Sequence, residues 1–218
     1  MKVSSSAEDY LKNIYELQEK EGLARTKKLA ERMQVSLGTI TNTVELLERQ
    51  RLIKHKRYKG VTLTAKGNRI ALDVIRRHRL TERFLTDILI MDWSKVHEIA
   101  CKLEHDVTEE VIKPLGKILG HPKTCPHGNP IPTKCGGIIE DKTRPLIDLE
   151  PQETGTIVKI AEEKSELLQY LVSLGIKLGT TIKVEKKIKV KNSEVLHLED
   201  IDTPLSQNIA SSIWVRKE

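Results

Sequence analysis

Six side chains that could bind a metal ion occur at helical spacing in the middle of the chain. They comprise two short stripes: His78 and Glu82, then His97, Cys101, Glu104 and His105. Residues three or four positions apart share one face of a helix. Burying such donors is costly unless a cation compensates, so the pattern predicts a divalent metal site. A thiolate with imidazoles suits Zn, Fe or Co, and carboxylates suit Fe or Mn.

Each donor also has an ordinary interpretation. A His-x-x-x-Glu pair is commonly a surface ion pair, and an isolated cysteine is usually a small core residue. Six donors on two stripes favour the metal site over coincidence. An enzyme is a further alternative, because Cys101-x-x-Glu104-His105 is similar to the His-x-x-Glu-His pattern of zinc metallohydrolases. The number of donors argues against it, since a catalytic metal keeps one position open for water.

Two helices are expected to position these donors. The first runs from Thr64 or Ala65 toward Ile90 and carries the first pair of donors. The second begins near Ser94, a good N-cap residue, and carries the other four donors on one stripe.

Three shorter helices are predicted before them. Their expected features are a Ser5–Glu8 capping box and a Gly22 C-cap, a helix over 26–33 with Thr26 as N-cap, and a helix over about 37–50 with Ser36 as N-cap. Only a tight polar break separates the second helix from the third. This arrangement is typical of a helix-turn-helix.

A basic hairpin is predicted over residues 52–63, directly after the third helix. No acidic residue lies between Arg49 and Lys66. A cationic wing of this kind suits binding to phosphates, while the third helix suits reading of bases. The predicted phosphate contacts are Lys54, Lys56, Arg57 and Lys59, and the predicted base contacts are Ser36, Leu37, Thr39 and Asn42. The alternatives are a solvated edge hairpin guarded by lysine, and a Ser36 that acts only as an N-cap.

The remainder of the chain changes character twice. A proline-rich segment follows Gly120, where Cys125, His127 and Cys135 could form a small zinc site, although a structural loop with free thiols is favoured. From about Pro145 a small β domain is expected. Its strand-like runs are 156–160, 181–184, 195–198 and 213–215, with a helix over 165–174 after the first.

Composition bounds the class of protein. The chain has 218 residues, 38% of them hydrophobic and 31% charged, with a formal net charge of +6. No apolar run approaches the roughly 18 residues that a membrane span requires. An odd number of cysteines, three, does not suggest a disulfide framework. We therefore expect a cytoplasmic protein and exclude a secreted scaffold, a membrane protein and a low-complexity chain.

The chain resembles the diphtheria-toxin-repressor family of metal-dependent transcriptional repressors over nearly its whole length. Four segments carry the similarity: residues 9–17, 77–85, 96–105 and 128–132. The resemblance implies a mainly α fold with a small β domain. It predicts a winged helix-turn-helix DNA-binding domain over 1–66, a helical metal-binding and dimerization domain over 67–143, and an SH3-like domain of the ferrous-iron-transport A type over 144–218.

The resemblance also implies a function. It predicts a homodimer that binds a palindromic operator in double-stranded DNA and controls metal-homeostasis genes, and it predicts neither an enzyme nor a membrane partner. Two sites per chain are expected to bind a divalent transition metal, with Fe²⁺ favoured and Mn²⁺ as the alternative. A metal-independent winged-helix regulator with a vestigial site stays open as a different interpretation.

Carried over residue by residue, the family's ancillary site uses His78, Glu82 and His97. Two side chains of the last domain complete it, and Glu163 and Glu166 are the better choices, with a solvated acidic helix start as the alternative. The site that triggers DNA binding uses Asp9, Cys101, Glu104 and His105. Asp9 matches the manganese-sensing branch and Cys101 the iron-sensing branch, so this site is a hybrid. Lys12 stands where the manganese branch has a second ligand on the first helix.

Overall fold

The structure is a computed structural model that describes residues 3–56, 59–138, 142–190 and 193–217. It separates into two compact units. The first comprises the chain up to His78, with Glu104–Glu109 and Pro132–Ile138, and the second comprises the rest. The three-domain division therefore stays a prediction. No helix in the described part of the chain is both long and apolar enough to cross a membrane.

The first unit contains a winged helix-turn-helix, which confirms the predicted fold. Its elements are α1 (Ser5–Glu21), α2 (Thr26–Met33), α3 (Leu37–Arg49), β1 (Ile53–Lys56), β2 (Gly60–Leu63) and the first part of α4 (Ala65–Arg83). Strands β1 and β2 pair antiparallel. The core forms where the apolar stripes of the three helices meet, and it includes Leu11, Ile14, Leu29, Ile40 and Leu47.

Of the three N-caps predicted for the first unit, two are wrong by one residue. The α1 cap is Ser4, whose side chain accepts a hydrogen bond from the Ala7 amide, so Ser5 and Glu8 form no capping box. The α2 N-cap position is occupied by Arg25 rather than Thr26, and no side chain caps that helix. Ser36 caps α3 as predicted, by accepting from the Thr39 amide.

The wing is fixed to the helices at both of its strands. The backbones of Ala24 and Val61 exchange two hydrogen bonds of 3.0 and 2.9 Å. The neighbouring Gly60 adopts φ +140°, and a Cβ there would lie 2.5 Å from the Ala24 carbonyl oxygen, so this close approach requires glycine. On the other strand, the Glu48 carboxylate of α3 accepts from the His55 amide. The wing is therefore bonded both to the connection between α1 and α2 and to α3.

The two helices predicted to carry the donors are shorter than predicted, and α6 was not predicted. Helix α4 ends at Arg83 and passes into a π-helical segment, Phe84–Ile88, instead of continuing to Ile90. Helix α5 spans Val96–Leu103, and α6 spans Glu109–Ile118. Ser94 does not start α5, because its hydroxyl bonds back to Asp92. The expected four-donor stripe is also wrong, since Glu104 and His105 lie in the turn after α5.

The second unit also contains an antiparallel sheet of six described strands in the order β3-β8-β4-β5-β6-β7. The elements are β3 (Arg144–Pro145), a 3₁₀ turn (Leu146–Asp148), β4 (Thr154–Ile160), α7 (Ser165–Ser173), β5 (Thr181–Val190), β6 (Ser193–Leu198), β7 (Ile201–Ser206), α8 (Gln207–Ser212) and β8 (Ile213–Lys217). All four predicted strand-like runs are confirmed, and β7 was not predicted. Side chains on one face of the sheet form the core of this domain, among them Ile157 of β4, Val184 of β5 and Val215 of β8.

Candidate metal centre and nucleic-acid interface

The first unit brings three predicted metal ligands together from distant parts of the chain. We call Asp9, Glu104 and His105 the α1 donor set, because Asp9 lies on α1 and the others lie in the turn after α5. One ligand atom from each residue lies within 4.8 Å of the others. His105 Nε2 is 2.9 Å from an Asp9 oxygen and 3.7 Å from a Glu104 oxygen.

Neighbouring side chains hold the α1 donor set in place. The Glu8 carboxylate lies 2.7 Å from His105 Nδ1, which leaves the opposite ring nitrogen, Nε2, directed at Asp9. Arg77 donates both to Glu8, at 2.9 Å, and to the Glu104 carbonyl oxygen, at 2.6 Å. Such outer partners orient metal ligands and fix the tautomer of a histidine ligand. The position of Glu8 in the sequence gave no signal for this role.

The Glu104 carboxylate is buried between two basic side chains. Lys12 donates to both of its oxygens, at 2.8 and 3.0 Å, and His78 Nδ1 lies 2.6 Å from one of them. Burial alone would raise the pKa of Glu104, but the hydrogen bond to His78 and the charge of Lys12 outweigh it and lower that pKa. Glu104 therefore stays ionised, as a metal ligand must.

The pKa values of the other two residues of this set are both raised. Burial raises the pKa of Asp9, although the neighbouring His105 opposes the shift. For His105, burial lowers the pKa, but the hydrogen bond to Glu8 and the charge of Asp9 reverse the direction and raise it. Two carboxylates and an imidazole at this separation fit a divalent cation such as Fe²⁺ or Mn²⁺.

A second group of donors lies inside the second unit. We call Glu82, Cys125, His127 and Glu163 the buried donor set; their ligand atoms also lie within 4.8 Å of one another. His127 Nδ1 is 3.4 Å from an oxygen of each carboxylate. His97 flanks the set, with its Nδ1 at 3.3 Å from Glu82 and 3.0 Å from Glu163.

The proline-rich loop supplies two of these donors through a tight backbone turn. The Cys125 amide donates to the Asn129 carbonyl, and the Gly128 amide donates to the Cys125 carbonyl. Gly128 has φ +82°, and a Cβ there would lie 2.0 Å from the Val158 carbonyl oxygen, so only glycine fits. Asn129 then donates to Glu163, and His127 Nε2 donates to the Trp93 carbonyl, which directs Nδ1 at the carboxylates.

The negative charges of Glu82 and Glu163 are compensated by protons on the neighbouring histidines, His127 of the buried donor set and the flanking His97. Burial lowers the pKa of His97, but Cys101, Glu163 and Glu82 together raise it to about 12. The pKa of His127 is raised in the same way. Burial raises the pKa of Cys125 to about 12, and the two carboxylates add to that shift. A dication would replace these protons, so carboxylates, imidazoles and a thiol together fit a transition metal.

Six of the predicted ligands lie at the two sets: Asp9, Glu104 and His105 share one, and Glu82, His97 and Glu163 meet at the other. His78, predicted to bind metal with Glu82 and His97, has its Nδ1 2.6 Å from Glu104 of the α1 donor set. Cys101 Sγ lies 3.7 Å from His97 Nε2. Glu166 is exposed on α7 and belongs to no donor group of the described residues. Sequence reasoning grouped Cys125 and His127 with Cys135, which is exposed and also outside these groups.

The predicted nucleic-acid contacts lie on the exposed surface of the first unit. Side chains at the start of α3 are exposed, including Leu37 at 57%, and so are the wing lysines: the exposed residues are Ser36, Leu37, Thr39, Asn42, Lys54, Lys56 and Lys59. Arg57 lies outside the described residues. The structure adds a cavity of about 470 Å³ between the start of α2 and the wing, which Lys59 lines together with three further basic residues, Arg25, Lys27 and His55.

Three family models match successive parts of the chain. They are the iron-dependent repressor N-terminal DNA-binding domain over residues 2–61, the iron-dependent repressor metal-binding and dimerisation domain over 64–133, and the FeoA domain over 144–217. The diphtheria toxin repressor of Corynebacterium efficiens is 31% identical over 222 residues, which cover 97% of this chain and 95% of that protein. The chain belongs to the iron-dependent repressor family.

Other members of the iron-dependent repressor family are similar over different lengths. The iron-dependent repressor IdeR of Mycobacterium tuberculosis is 39% identical over 135 residues, which are 62% of this chain and 57% of IdeR. The chain thus aligns with little more than half the length of that relative. A solved manganese-dependent transcriptional repressor in complex with manganese has a TM-score of 0.86 and 34% identity, over 97% of this chain and 100% of that one.

Proposed function

We propose that the protein is a metal-dependent DNA-binding transcriptional repressor. One observation carries the proposal: Asp9, on the first helix of the winged helix-turn-helix, shares a donor set with Glu104 and His105. The buried face of α1, with Leu11 and Ile14, packs in the core that supports α3. Any restraint on Asp9 therefore acts on the element that supports the DNA-reading helix.

The residues of the α1 donor set would hold the ion and link two segments of the first unit. Asp9 belongs to α1, whereas Glu104 and His105 belong to the turn after α5. The metal supplies positive charge that offsets the two carboxylates. Binding of these ligands to one centre restrains α1 and favours the state that binds DNA, since a ligand shifts a conformational equilibrium toward the state that binds it better.

Fe²⁺ is the favoured ion, Mn²⁺ is the alternative, and each chain has two sites, the α1 and buried donor sets. Known relatives are described as iron-dependent or as manganese-dependent. Carboxylate and imidazole ligands suit both ions, while a thiol such as Cys125 favours softer metals over Mn²⁺. Ligand chemistry thus supports Fe²⁺ for the buried donor set.

The partner is double-stranded DNA, read by two copies of the chain at a palindromic operator in the cytoplasm. Exposed side chains at the start of α3 can reach base edges, and the lysines of the wing can contact phosphates. The second unit exposes large apolar side chains, including Ile90 at 79% and Ile118 at 70%. Exposed apolar surface of this kind marks protein–protein contacts, which supports a homodimer.

The test is anaerobic fluorescence anisotropy on DNA from the protein's own upstream region, with Fe²⁺, Mn²⁺ and a chelator in separate titrations. Metal should switch binding on in the wild type. Glu104→Gln should abolish most of that response without loss of fold, while Glu19→Gln, an exposed change on α1, should leave it intact. Full DNA affinity of Glu104→Gln at saturating metal would contradict the assignment of the α1 donor set.

The same assay separates base contacts from phosphate contacts. Asn42→Ala should cost about 1–3 kcal/mol on the preferred sequence and relax specificity at one position. Lys56→Ala should weaken binding to all sequences alike and reduce the salt slope by about 1. The metal-independent regulator predicts equal affinity with chelator and with metal, so that result would replace the proposal. The matching N-terminal and metal-binding family models and the C. efficiens relative are described as repressors, which favours this proposal over the metallohydrolase alternative.

A further inference from the structure

Lys12 occupies an unusual place beside the α1 donor set. Its ammonium nitrogen lies 2.8 and 3.0 Å from the two Glu104 oxygens and 3.4 Å from His78 Nδ1. Its side chain is only 12% exposed, and that of Glu104 is 1% exposed. This cation therefore lies against a buried carboxylate with an imidazole beside it, at a place where a metal ion could also lie.

Lysine is an effective substitute for a metal ion in such a place. The ammonium is a compact point charge with three donor hydrogens, and the two Glu104 oxygens accept from it. Glu104 has two oxygens with about four lone-pair sites, so it can accept from Lys12 and still offer a lone pair on the side of Asp9 and His105. Lys12 can thus stay in place when that side is occupied.

We propose that Lys12 is a tethered cation that takes the place of a second ion, so that the α1 donor set binds one divalent metal and not two. The inference rests on the proposed metal-binding function and specifies the stoichiometry of one site. A second ion would need Glu104 and His78 as ligands, and Lys12 already contacts both. The fixed positive charge also repels the first ion, which sets a higher threshold for occupancy.

The decisive variant is Lys12→Glu, which removes the tethered charge and adds a carboxylate at the same place. Mn²⁺ bound per folded chain is measured anaerobically by elemental analysis after desalting, together with the electron paramagnetic resonance spectrum. We expect one more Mn²⁺ per chain than in the wild type and the broadened spectrum of two coupled ions. Lys20→Glu, the same charge change at the exposed end of α1, should match the wild-type count.

A second variant keeps the inference testable if Lys12→Glu does not fold. Lys12→Gln removes the charge alone and should raise the affinity for the first Mn²⁺ by at least about tenfold. Repulsion between one nearby positive charge and a dication has about this effect even in a water-like dielectric. Lys12→Arg should preserve the wild-type count. An unchanged count in Lys12→Glu, or unchanged affinity in Lys12→Gln, overturns the role of Lys12. Absence of Mn²⁺ from the wild type would overturn the proposed function as well.

Discussion

The two donor sets neutralise their carboxylates in different ways. Around the α1 donor set, the ammonium of Lys12 and the guanidinium of Arg77 pair with the carboxylates of Glu104 and Glu8. At the buried donor set, the compensating charges are protons on His127 and on the flanking His97, whose pKa values are raised. A basic side chain must be accommodated when a metal binds, whereas a proton can leave.

The two donor sets also differ in how far their side chains are exposed to solvent. The α1 donor set is open to solvent at Asp9, whose side chain is 42% exposed, whereas Glu104 is 1% exposed; in the buried donor set, Glu82 and His127 are 0% exposed and Glu163 is 13% exposed. Exchange with solvent is easier at the first set, and dehydration strengthens electrostatic interactions at the second. We infer that the α1 donor set responds to metal concentration, and that the buried donor set binds its ion more tightly and supports the second unit.

The largest expected effect is loss of metal from the buried donor set in Glu163→Gln. Glu163 contacts both His97 and His127, so its removal should weaken metal binding there by more than about 100-fold, the upper end for loss of an outer partner. Calorimetric titration should show one binding event missing and the other unchanged. Glu166→Gln, a matched change on the exposed side of α7, should titrate like the wild type; a comparable loss in that variant would restore Glu166 as a ligand.

A smaller effect is expected from Glu8→Gln, which tests how the α1 donor set is oriented. The Glu8 carboxylate holds His105 Nδ1 and Arg77 together, so its loss should weaken metal binding at this set by about 10–100-fold. Binding at the buried donor set should not change, and Glu19→Gln serves as the control. Equal losses at both sets would show that the two are not independent, and the contrast drawn between them would fail.

The smallest effect concerns an ordinary ion pair of the second unit, which gives a baseline for the donor sets. The Lys217 ammonium and the Glu150 amide, with the charge of Arg144, lower the pKa of Glu153 to about 2. Because the pKa of Glu153 is lowered by folding, the ionised carboxylate stabilises the fold at pH values above its ordinary pKa of 4.5. That contribution is lost as the pH falls toward about 2. Thermal unfolding of metal-free protein should show Glu153→Gln less stable at pH 6, with a difference that narrows below pH 4.5. A constant difference across this range would rule out the ionised Glu153 as its cause.

Periodic and local signals were sufficient for much of the fold. Apolar residues at helical spacing predicted α1, α2 and α3, and the polar break with Ser36 predicted the helix-turn-helix. Single-residue boundaries were less secure, because Ser4 and Ser5 are chemically equal caps and only backbone geometry selects one. The end of α5 before Glu104 could not be predicted, because no glycine or proline follows the helix there.

The residues of the donor sets could be predicted from the sequence only where they recur at helical spacing. Glu82, His97, Glu104 and His105 have helical spacing in sequence and were found from it. Cys125 and His127 lie in a loop with no period, and their partners Glu82 and Glu163 are far away along the chain. Nothing local to the loop distinguishes it from a structural turn with free thiols. Only the tertiary fold brings those side chains together.

Helix α1 packs into the core with one face and presents the donor set and its neighbours on another. Ala7, Tyr10, Leu11, Ile14 and Leu17 are buried in the core, whereas Glu8, Asp9 and Lys12 serve the donor set. Substitutions at positions 8, 9 and 12 can therefore alter which ion is sensed, and at what concentration, without repacking the DNA-binding fold. Within such a family, sensitivity to metal can diverge rapidly while operator recognition is inherited unchanged.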